Sequence, residues 1–550
     1  MGQSSSKKNH TLPEDGSSVF SGAKKKPDCF TRIKECLPKG SSSSAGRKGG
    51  HVSQDELGAL RNKYAAAQQE HVFRCVPMLL CVLFMCRCRE HRLIVLENAT
   101  GVLFGRHFDS LSKQEQSSLV NQLRNIDPQA VLERYARTTA TSKDEMTGGI
   151  EACTPTRLDL SSSEDRQNWN STALKAIGNG EVGVILLAGG QGTRLGFSQP
   201  KGCFPGDNQE LLDAWLPSGK TLFCLQAQRI LRLQALAAAE TGATNAIIQW
   251  YIMTSPQTHN ATEKNLLENQ FYGLAPTQVH LFQQGTLPCI ANDGTKFIMN
   301  SPSEVATAPD GNGGIYAALH NSGMIADMEH KNVKYLFTNA IDNCVCKIAD
   351  PLFLGFCING GFKAGNKVTE KRTADEKVGI QGKRNGCYEV VEYSDIDEKV
   401  RDERDEHGKL VFSSGSVCIH YYSLDFLRNE CHPQNLSKAL HYHIARKKIP
   451  YWDEETETKV TPTEINGVKL ETFIFDVFKL AGESFGVFEV QREEEFAPIK
   501  NKSIADDGSL NNDSPIASLK QVRQDTAVGD NCGAIFVFMS TVLTCVMYPR

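Results

Sequence analysis

Val182-Gly-Val-Ile-Leu-Leu-Ala-Gly-Gly-Gln-Gly-Thr-Arg-Leu-Gly-Phe-Ser-Gln-Pro-Lys201 leads from an apolar run straight into a glycine-rich, basic loop. Five apolar residues in the first six positions suit a parallel strand covered on both faces. Gly189, Gly190 and Gly192 then let backbone N–H groups approach phosphate oxygens without intervening Cβ atoms. Arg194 and Lys201 add positive charge, so the chemistry this stretch can do is to grip a nucleoside triphosphate. Two familiar phosphate loops fail on spacing. A P-loop needs a Lys-Ser/Thr pair after its glycines, and Gly190, Gly192 and Gly196 are one residue too long for the dinucleotide fingerprint. A plain strand-to-loop turn, with glycines that only relieve strain, leaves the Arg and Lys at this spacing unexplained.

Further blocks follow along the chain. They are Trp250-Tyr-Ile-Met-Thr-Ser255, Phe282-Gln-Gln-Gly285, Ala308-Pro-Asp-Gly-Asn-Gly-Gly314, Asp342-Asn343, Ala349-Asp-Pro351, Val390-Val-Glu-Tyr393, Lys447-Lys-Ile-Pro-Tyr451 and Glu494-Glu-Phe-Ala-Pro-Ile-Lys-Asn501. With Leu187-Ala-Gly-Gly-Gln-Gly-Thr-Arg-Leu-Gly196 and Pro200-Lys201-Gly202, they make residues 181–503 resemble the eukaryotic UDP-N-acetylhexosamine pyrophosphorylases. The resemblance implies transfer of the uridylyl group of UTP to N-acetylglucosamine-1-phosphate, with Mg²⁺ or Mn²⁺ as cofactor. It implies UTP contacts at Leu187, Ala188, Gly189, Gly190, Gln284, Gly311 and Lys469, and sugar contacts at Asn312, Gly379, Glu392, Tyr393, Ser416, Phe473 and Phe475. Arg194 and Lys201 would grip the triphosphate, Lys500 the sugar phosphate and Asp342 the metal.

Such a reaction needs in-line attack on the α-phosphorus while pyrophosphate leaves, so the protein must position two anions and neutralise growing charge. No covalent nucleophile is required. A guanidinium binds oxygens bidentately, an ammonium acts as a point charge, and a hard divalent cation prefers a carboxylate oxygen. Taken alone, Asp342 reads more often as a turn or helix-cap residue; a solvated lysine is the plain reading of Lys500, and an ordinary turn the lesser reading of Asp310-Gly311. Only their place in the motif order raises them.

One block departs from the family. Where the family usually reads Phe-Asn-Ala-Gly-Asn-Ile, this chain has Phe412-Ser-Ser-Gly-Ser-Val417, with hydroxyls at Ser413 and Ser416. A serine stops short of the reach of an asparagine amide. Sugar choice is therefore left open between the gluco and galacto N-acetyl epimers and sugars without the acetamido group. A broader UDP-sugar or UDP-glucose pyrophosphorylase is the alternative enzyme, and a non-catalytic nucleotide-sugar binding protein is the rival outside enzymes.

The 550 residues are 40% hydrophobic, enough to bury one large core or several domains. A net charge of −4 argues against a general nucleic-acid binder. The 18 cysteines follow no secretory leader and lack zinc-finger spacing, and the His441-Tyr-His443 pair has no cysteine nearby, so reduced thiols are expected and structural zinc is not. Strand-like runs alternate with helical ones from Gly183 onward, and Tyr335-Leu-Phe337 reads as a further strand. This predicts an α/β fold: a doubly wound, mostly parallel, Rossmann-like sheet with ligands at the carboxyl ends of its strands.

Four regions are expected: a disordered Ser/Lys-rich tail at 1–50, an N-terminal helical region at 51–180, a catalytic domain at 181–503 and a divergent tail at 504–550. Helices are expected at 54–71 and 108–138, and 394–409 reads as a charged helix or loop. Residues 75–106 interrupt the family likeness and read as an insertion or a retained intron. Their apolar run, 76–85, is too short to span ~30 Å of hydrocarbon. The likeness fades after Ser514-Pro-Ile-Ala517, where the family continues into a β-rich domain, and the apolar run at 534–547 is also below span length. Met1-Gly-Gln-Ser-Ser-Ser6 matches the N-myristoylation pattern at Gly2, with lysines nearby as a second membrane signal; a chance match in a biased tail reads as well. A cytosolic monomer, peripheral on a membrane if Gly2 is acylated, is the expectation.

Overall fold

The computed structural model describes residues 53–73, 108–140, 148–206, 219–244, 246–440 and 442–505, with 509, 511 and 513–518 beyond them. The tail at 1–50 with Gly2, the segment at 75–106 and the apolar run at 534–547 lie outside the described residues.

The stretch at 54–71 is helix α1 (Gln54–Ala66) followed by a 3-10 turn at Glu70–Phe73, and the chain leaves α1 through Gln68 at φ 56°. Ser53 caps α1 by accepting from the Glu56 N–H. The stretch at 108–138 is two helices, not one. Helix α2 (Lys113–Arg124) starts on a Ser112–Glu115 capping box, and α3 (Pro128–Ala140) starts on a proline. Pro128 disfavours helical backbone at the residue before it while fitting a first helical turn, which divides the segment there.

Leu57, Leu60, Tyr64, Leu119, Leu123 and Val131 bury their apolar faces together and against Ile290, Phe297, Val468 and Leu470. The N-terminal helices thus share a core with strands from far along the chain. Buried Gln69 mimics a backbone partner there, donating to Thr295 O (2.7 Å) and accepting from the Phe297 N–H (2.7 Å). Phe73 and Phe108, either side of the interruption, meet with ring centroids 6.3 Å apart.

The central sheet has eleven strands among the described residues. Eight of them build its main path: β1 (Thr156–Arg157), β2 (Val182–Leu187), β3 (Gln249–Thr254), β4 (Val279–Gln283), β5 (Tyr335–Ala340), β6 (Ala364–Glu370), β7 (Ser414–Ser423) and β8 (Phe485–Glu489). Their order is β1-β8-β6-β7-β5-β2-β3-β4. Strands β5, β2, β3 and β4 are parallel, as are β1, β8 and β6, while β7 runs antiparallel to both its neighbours. All six residues of β2 are buried, as a strand covered on both faces requires.

The boundary drawn at 181 falls too late. Glu151–Ala152 and β1 already pair into this sheet, and Trp169 of helix α4 (Ser163–Gly178) packs edge-on against Phe356 and Phe488. Helix α5 (Leu222–Thr241), capped by Thr221 and ended by left-handed Gly242, makes the crossover from β2 to β3. The segment at 394–409 carries a short helix, Glu398–Asp402, with no buried residue. No helix among the described residues is long and apolar enough to cross a membrane.

From β2 the chain steps outward to β3 and β4, then returns to the other flank of β2 as β5. That reversal opens a crevice at the carboxyl ends of β2 and β5, where doubly wound sheets hold ligands. The register brings Leu187, Met253 and Ala340 level. The segments just beyond these strands, 188–190, 255 and 341–342, therefore share one edge. Antiparallel β7 delivers Ser416 to the same edge, opposite Val368 near the end of β6.

Candidate active site

The glycine loop closes on itself. The Lys201 N–H donates to Gly190 O and the Gly192 N–H to Gln199 O, both at 3.1 Å, and the Ala188 N–H ties its start to Met253 O at 2.8 Å. Gly189 has a steric reason: a Cβ there would sit 2.3 Å from Gln284 Oε1. Arg194 rides on a single 3-10 turn, Thr193–Leu195, and Lys201 begins another, Lys201–Cys203.

Arg194, Lys201, Asp342 and Lys500 line one cavity of about 310 Å³ with Gln191, Gly192, Thr193 and Leu195. The four charged residues expected to handle the phosphates and metal are brought together. A larger hollow of about 740 Å³ shares no residue with this cavity, and its Arg157 and Arg372 are already paired with Asp159 and Glu493.

Asp342 lies two residues beyond β5 and is held from both sides. The Asn343 side chain donates to Glu495 O (2.7 Å) and accepts from the Ala497 N–H (3.1 Å), while the Ile499 N–H donates to Asp342 O (2.8 Å). The Lys502 N–H reaches Arg194 O at 2.9 Å, which stitches the Lys500 segment to the glycine loop. From the opposite side Arg229 of α5, 1% exposed, donates to Cys344 O (2.6 Å) and Cys346 O (3.2 Å). Cys344 and Cys346 are buried unpaired thiols, pushed up to about 11 and about 12 by burial. Beneath the Lys500 segment, buried Lys367 places its ammonium 2.6 Å from both Asp350 and Glu495. Asn343, Arg229 and Lys367 were absent from the expected set. Asn343 stood in the Asp342-Asn343 block, and nothing in the sequence marked the other two.

Among the residues expected to contact the nucleoside, the Gln284 amide donates to Asp310 Oδ1 and Gly311 O, each at 3.3 Å, which turns its Oε1 toward Gly189. That fixed acceptor suits a base N–H. Asp310 is desolvated, and burial raises its carboxyl to about 6. Gly311 sits at φ +88° with no room for a Cβ, which would lie 2.3 Å from Thr472 O. The same turn is stitched to the 472–474 segment: Asn312 Oδ1 accepts from the Ile474 N–H at 3.0 Å, and the Thr472 N–H donates to Asp310 O at 2.8 Å. Phe473 and Phe475, centroids 5.2 Å apart, thereby stand beside Asn312.

Gly379 and Glu392 adjoin, since a Cβ on Gly379 would lie 3.4 Å from Glu392 Oε2. The Ser416 N–H donates to Gly379 O at 2.9 Å, so Ser416 joins them, and Tyr393 is 46% exposed beside Glu392. Lys469 sits on the strand Gly467–Glu471 and does not line the 310 Å³ cavity. His443, weighed above only as half of a metal pair, is bonded to carboxylates: Nδ1 lies 2.9 Å from Asp395 and Nε2 3.4 Å from Asp476.

The Ser416 hydroxyl is engaged. Asn366 Nδ2 donates to it at 3.2 Å and also to Gln381 at 2.8 Å, while the ring of His420, pushed down to about 3 by burial, meets Asn366 Oδ1 at 2.9 Å. Ser416→Asn would restore an amide reaching past this network. The ratio of kcat/KM for N-acetylglucosamine-1-phosphate over glucose-1-phosphate is then expected to rise roughly tenfold, as one regained hydrogen bond allows. An unchanged ratio in parallel assays would contradict it.

A glycine loop at the switch point of a parallel sheet, closed over three cations and one carboxylate, defines an α/β protein that handles nucleotide phosphates. The family model described as UTP--glucose-1-phosphate uridylyltransferase matches residues 129–520, and the chain belongs to that family. It is 42% identical to UDP-N-acetylglucosamine diphosphorylase 2 of Arabidopsis thaliana, over 72% of this chain and 76% of that protein. It is 37% identical to the UDP-N-acetylglucosamine pyrophosphorylase of Saccharomyces cerevisiae, over 80% of this chain and 91% of that one. The crystal structure of the uridine diphosphate N-acetylglucosamine pyrophosphorylase from Trypanosoma brucei, in complex with an inhibitor, superposes with a TM-score of 0.66 at 25% identity, covering 90% of this chain and 92% of that chain.

Proposed function

We propose that the chain transfers the uridylyl group of UTP to N-acetylglucosamine-1-phosphate, giving UDP-N-acetylglucosamine and pyrophosphate. The observation that carries this reading is the single cavity on which Arg194, Lys201, Asp342 and Lys500 converge beside the glycine loop. The names of the relatives supply the sugar. A phosphate oxygen of the sugar-1-phosphate attacks the α-phosphorus of UTP, the bond from that phosphorus to the β-phosphate bridge breaks, and pyrophosphate leaves. Arg194 and Lys201 hold the triphosphate as its charge shifts outward, and Lys500 holds the attacking phosphate. Because these groups are preplaced, little reorganisation is needed at the moment of transfer.

Asp342 fits a divalent cation: it offers a hard oxygen on the wall of a phosphate-sized cavity. Among the described residues no group of three or more His, Cys, Asp or Glu gathers to hold a metal. An ion held by one carboxylate, with substrate phosphates and water completing its shell, is the mode Mg²⁺ favours. Bound there, Mg²⁺ or Mn²⁺ would neutralise charge on the α-phosphate. The ten free cysteines among the described residues fit a cytosolic setting, and the Gly2 motif supports peripheral membrane attachment of the acylated chain.

Incubating the full chain with UTP, N-acetylglucosamine-1-phosphate and Mg²⁺ is expected to release pyrophosphate and UDP-N-acetylglucosamine in equal amounts. UTP binding without release would mark a binding protein, and faster turnover of glucose-1-phosphate would reassign the sugar.

A further inference from the structure

His443 opens the strand His443–Lys447, and its ring is enclosed on three sides. Asp395 lies 2.9 Å from Nδ1, Asp476 lies 3.4 Å from Nε2, and the Phe473 ring stacks on the imidazole with centroids 4.0 Å apart and planes inclined by 29°. These neighbours come from two segments of the chain, Asp395 from one and Phe473 with Asp476 from the other. Asp395 closes the turn after Tyr393, where its N–H donates to Glu392 O at 2.9 Å. Asp476 also accepts from the Phe473 N–H at 3.0 Å, which fixes the start of the 3-10 helix Ile474–Ala481.

We propose that His443 is the positioning residue of the sugar pocket: a partly buried imidazole that ties the segment bearing Glu392 and Tyr393 to the wall made by Phe473 and Phe475. The inference rests on the uridylyltransferase reading above and deepens it, because it says what sets affinity for the sugar phosphate as distinct from UTP.

The charge follows from the surroundings. Burial alone would push the imidazole down, but its hydrogen bonds to Asp395 and Asp476 outweigh that and raise it to about 10, so both ring nitrogens donate at neutral pH. Glu392 feels this cation. Burial raises its carboxyl to about 7, His443 and Lys500 act to lower it, and Asp395 and Asp476 act to raise it. Glu392 accepts from a sugar hydroxyl more strongly when ionised, so sugar use should grow as pH rises through its titration. A neutral residue at 443 removes one of the two cations opposing protonation and moves that titration upward.

The test is steady-state kinetics of the full chain, wild type against His443→Gln, with KM measured separately for each substrate between pH 6 and 9. The expected result is a KM for N-acetylglucosamine-1-phosphate raised about tenfold, with KM for UTP changed less than about twofold. The acid limb of kcat/KM for the sugar phosphate should also shift to higher pH by roughly half a unit. Equal loss for both substrates, or an unmoved acid limb, would overturn the assignment, since simple loosening of the fold would not single out one substrate. Should His443→Gln fail to fold, Asp395→Asn keeps an acceptor but removes the anion 2.9 Å from Nδ1, on the partly exposed side, and must show the same split. Absence of transfer by the wild type would sink the functional reading as a whole, whereas an active wild type with an indifferent variant sinks this inference alone.

Discussion

Asp342→Asn is expected to lower kcat for uridylyl transfer by about 10²–10³, because a metal-bearing carboxylate contributes several kcal/mol to the stabilisation of transition-state charge. The neutral amide keeps the shape of the site but loses the charge that would draw a divalent cation to the α-phosphate. Backbone contacts would persist, since Asp342 is held through its carbonyl by the Ile499 N–H and through neighbouring Asn343. The melting temperature should therefore change little. Residual activity should need much higher Mg²⁺ for half-maximal rate, which an Mg²⁺ titration of pyrophosphate release would reveal. A variant with wild-type kcat and Mg²⁺ dependence would remove Asp342 from the site.

The second large effect concerns stability. Lys367→Met leaves Asp350 and Glu495 buried without the ammonium that sits 2.6 Å from each, and such orphaned pairs cost about 3–5 kcal/mol. That is a large share of the 5–15 kcal/mol that holds a typical domain together, so chemical denaturation should show a sharply reduced midpoint. The pH dependence has a definite sign. Burial alone would raise the Asp350 carboxyl, but Lys367 and Lys347 outweigh it and hold it below the usual carboxylate range. Its stabilising contribution is therefore present above the ordinary carboxylate pKa of about 3.9 and is lost as pH falls through the lower folded value. In Lys367→Met the two carboxylates keep only Lys347, 3.2 Å from Glu495, and protonation relieves the charge left over. The deficit relative to wild type should be largest near neutrality and shrink in acid. Adding Asp350→Asn and Glu495→Gln should recover much of the loss, and failure to recover any would mean that burial of charge is not its cause.

The strand leading into the glycine loop was legible because both signals were local: an unbroken apolar run followed by glycines and cations. The residues expected to handle phosphate were named from motif order, and the cavity shared by Arg194, Lys201, Asp342 and Lys500 is where that order closes in space. Residues that act across long separations were hidden. Arg229 holds the carbonyls of Cys344 and Cys346, and Lys367 meets Glu495; nothing in the spacing of either pair announces the contact. His443 was visible only as an ambiguous ligand, since its meaning lies in Asp395 and Asp476, which arrive from two other segments. The antiparallel course of β7 was missed because strand polarity leaves no trace in an apolar pattern. The boundary set at 181 failed for a related reason: two-residue strands such as Thr156–Arg157 are too short to carry periodicity.

Phe73 and Phe108 meet ring against ring although residues 74–107 intervene between them. A chain that exits and re-enters at one spot can change the length of what lies between at only a slowly growing entropic cost. The neighbouring helices bury Leu60, Tyr64 and Leu123 in a core built from described residues on either side of the intervening stretch. This doorway gives evolution a place to splice in or trim away material without disturbing the transferase machinery.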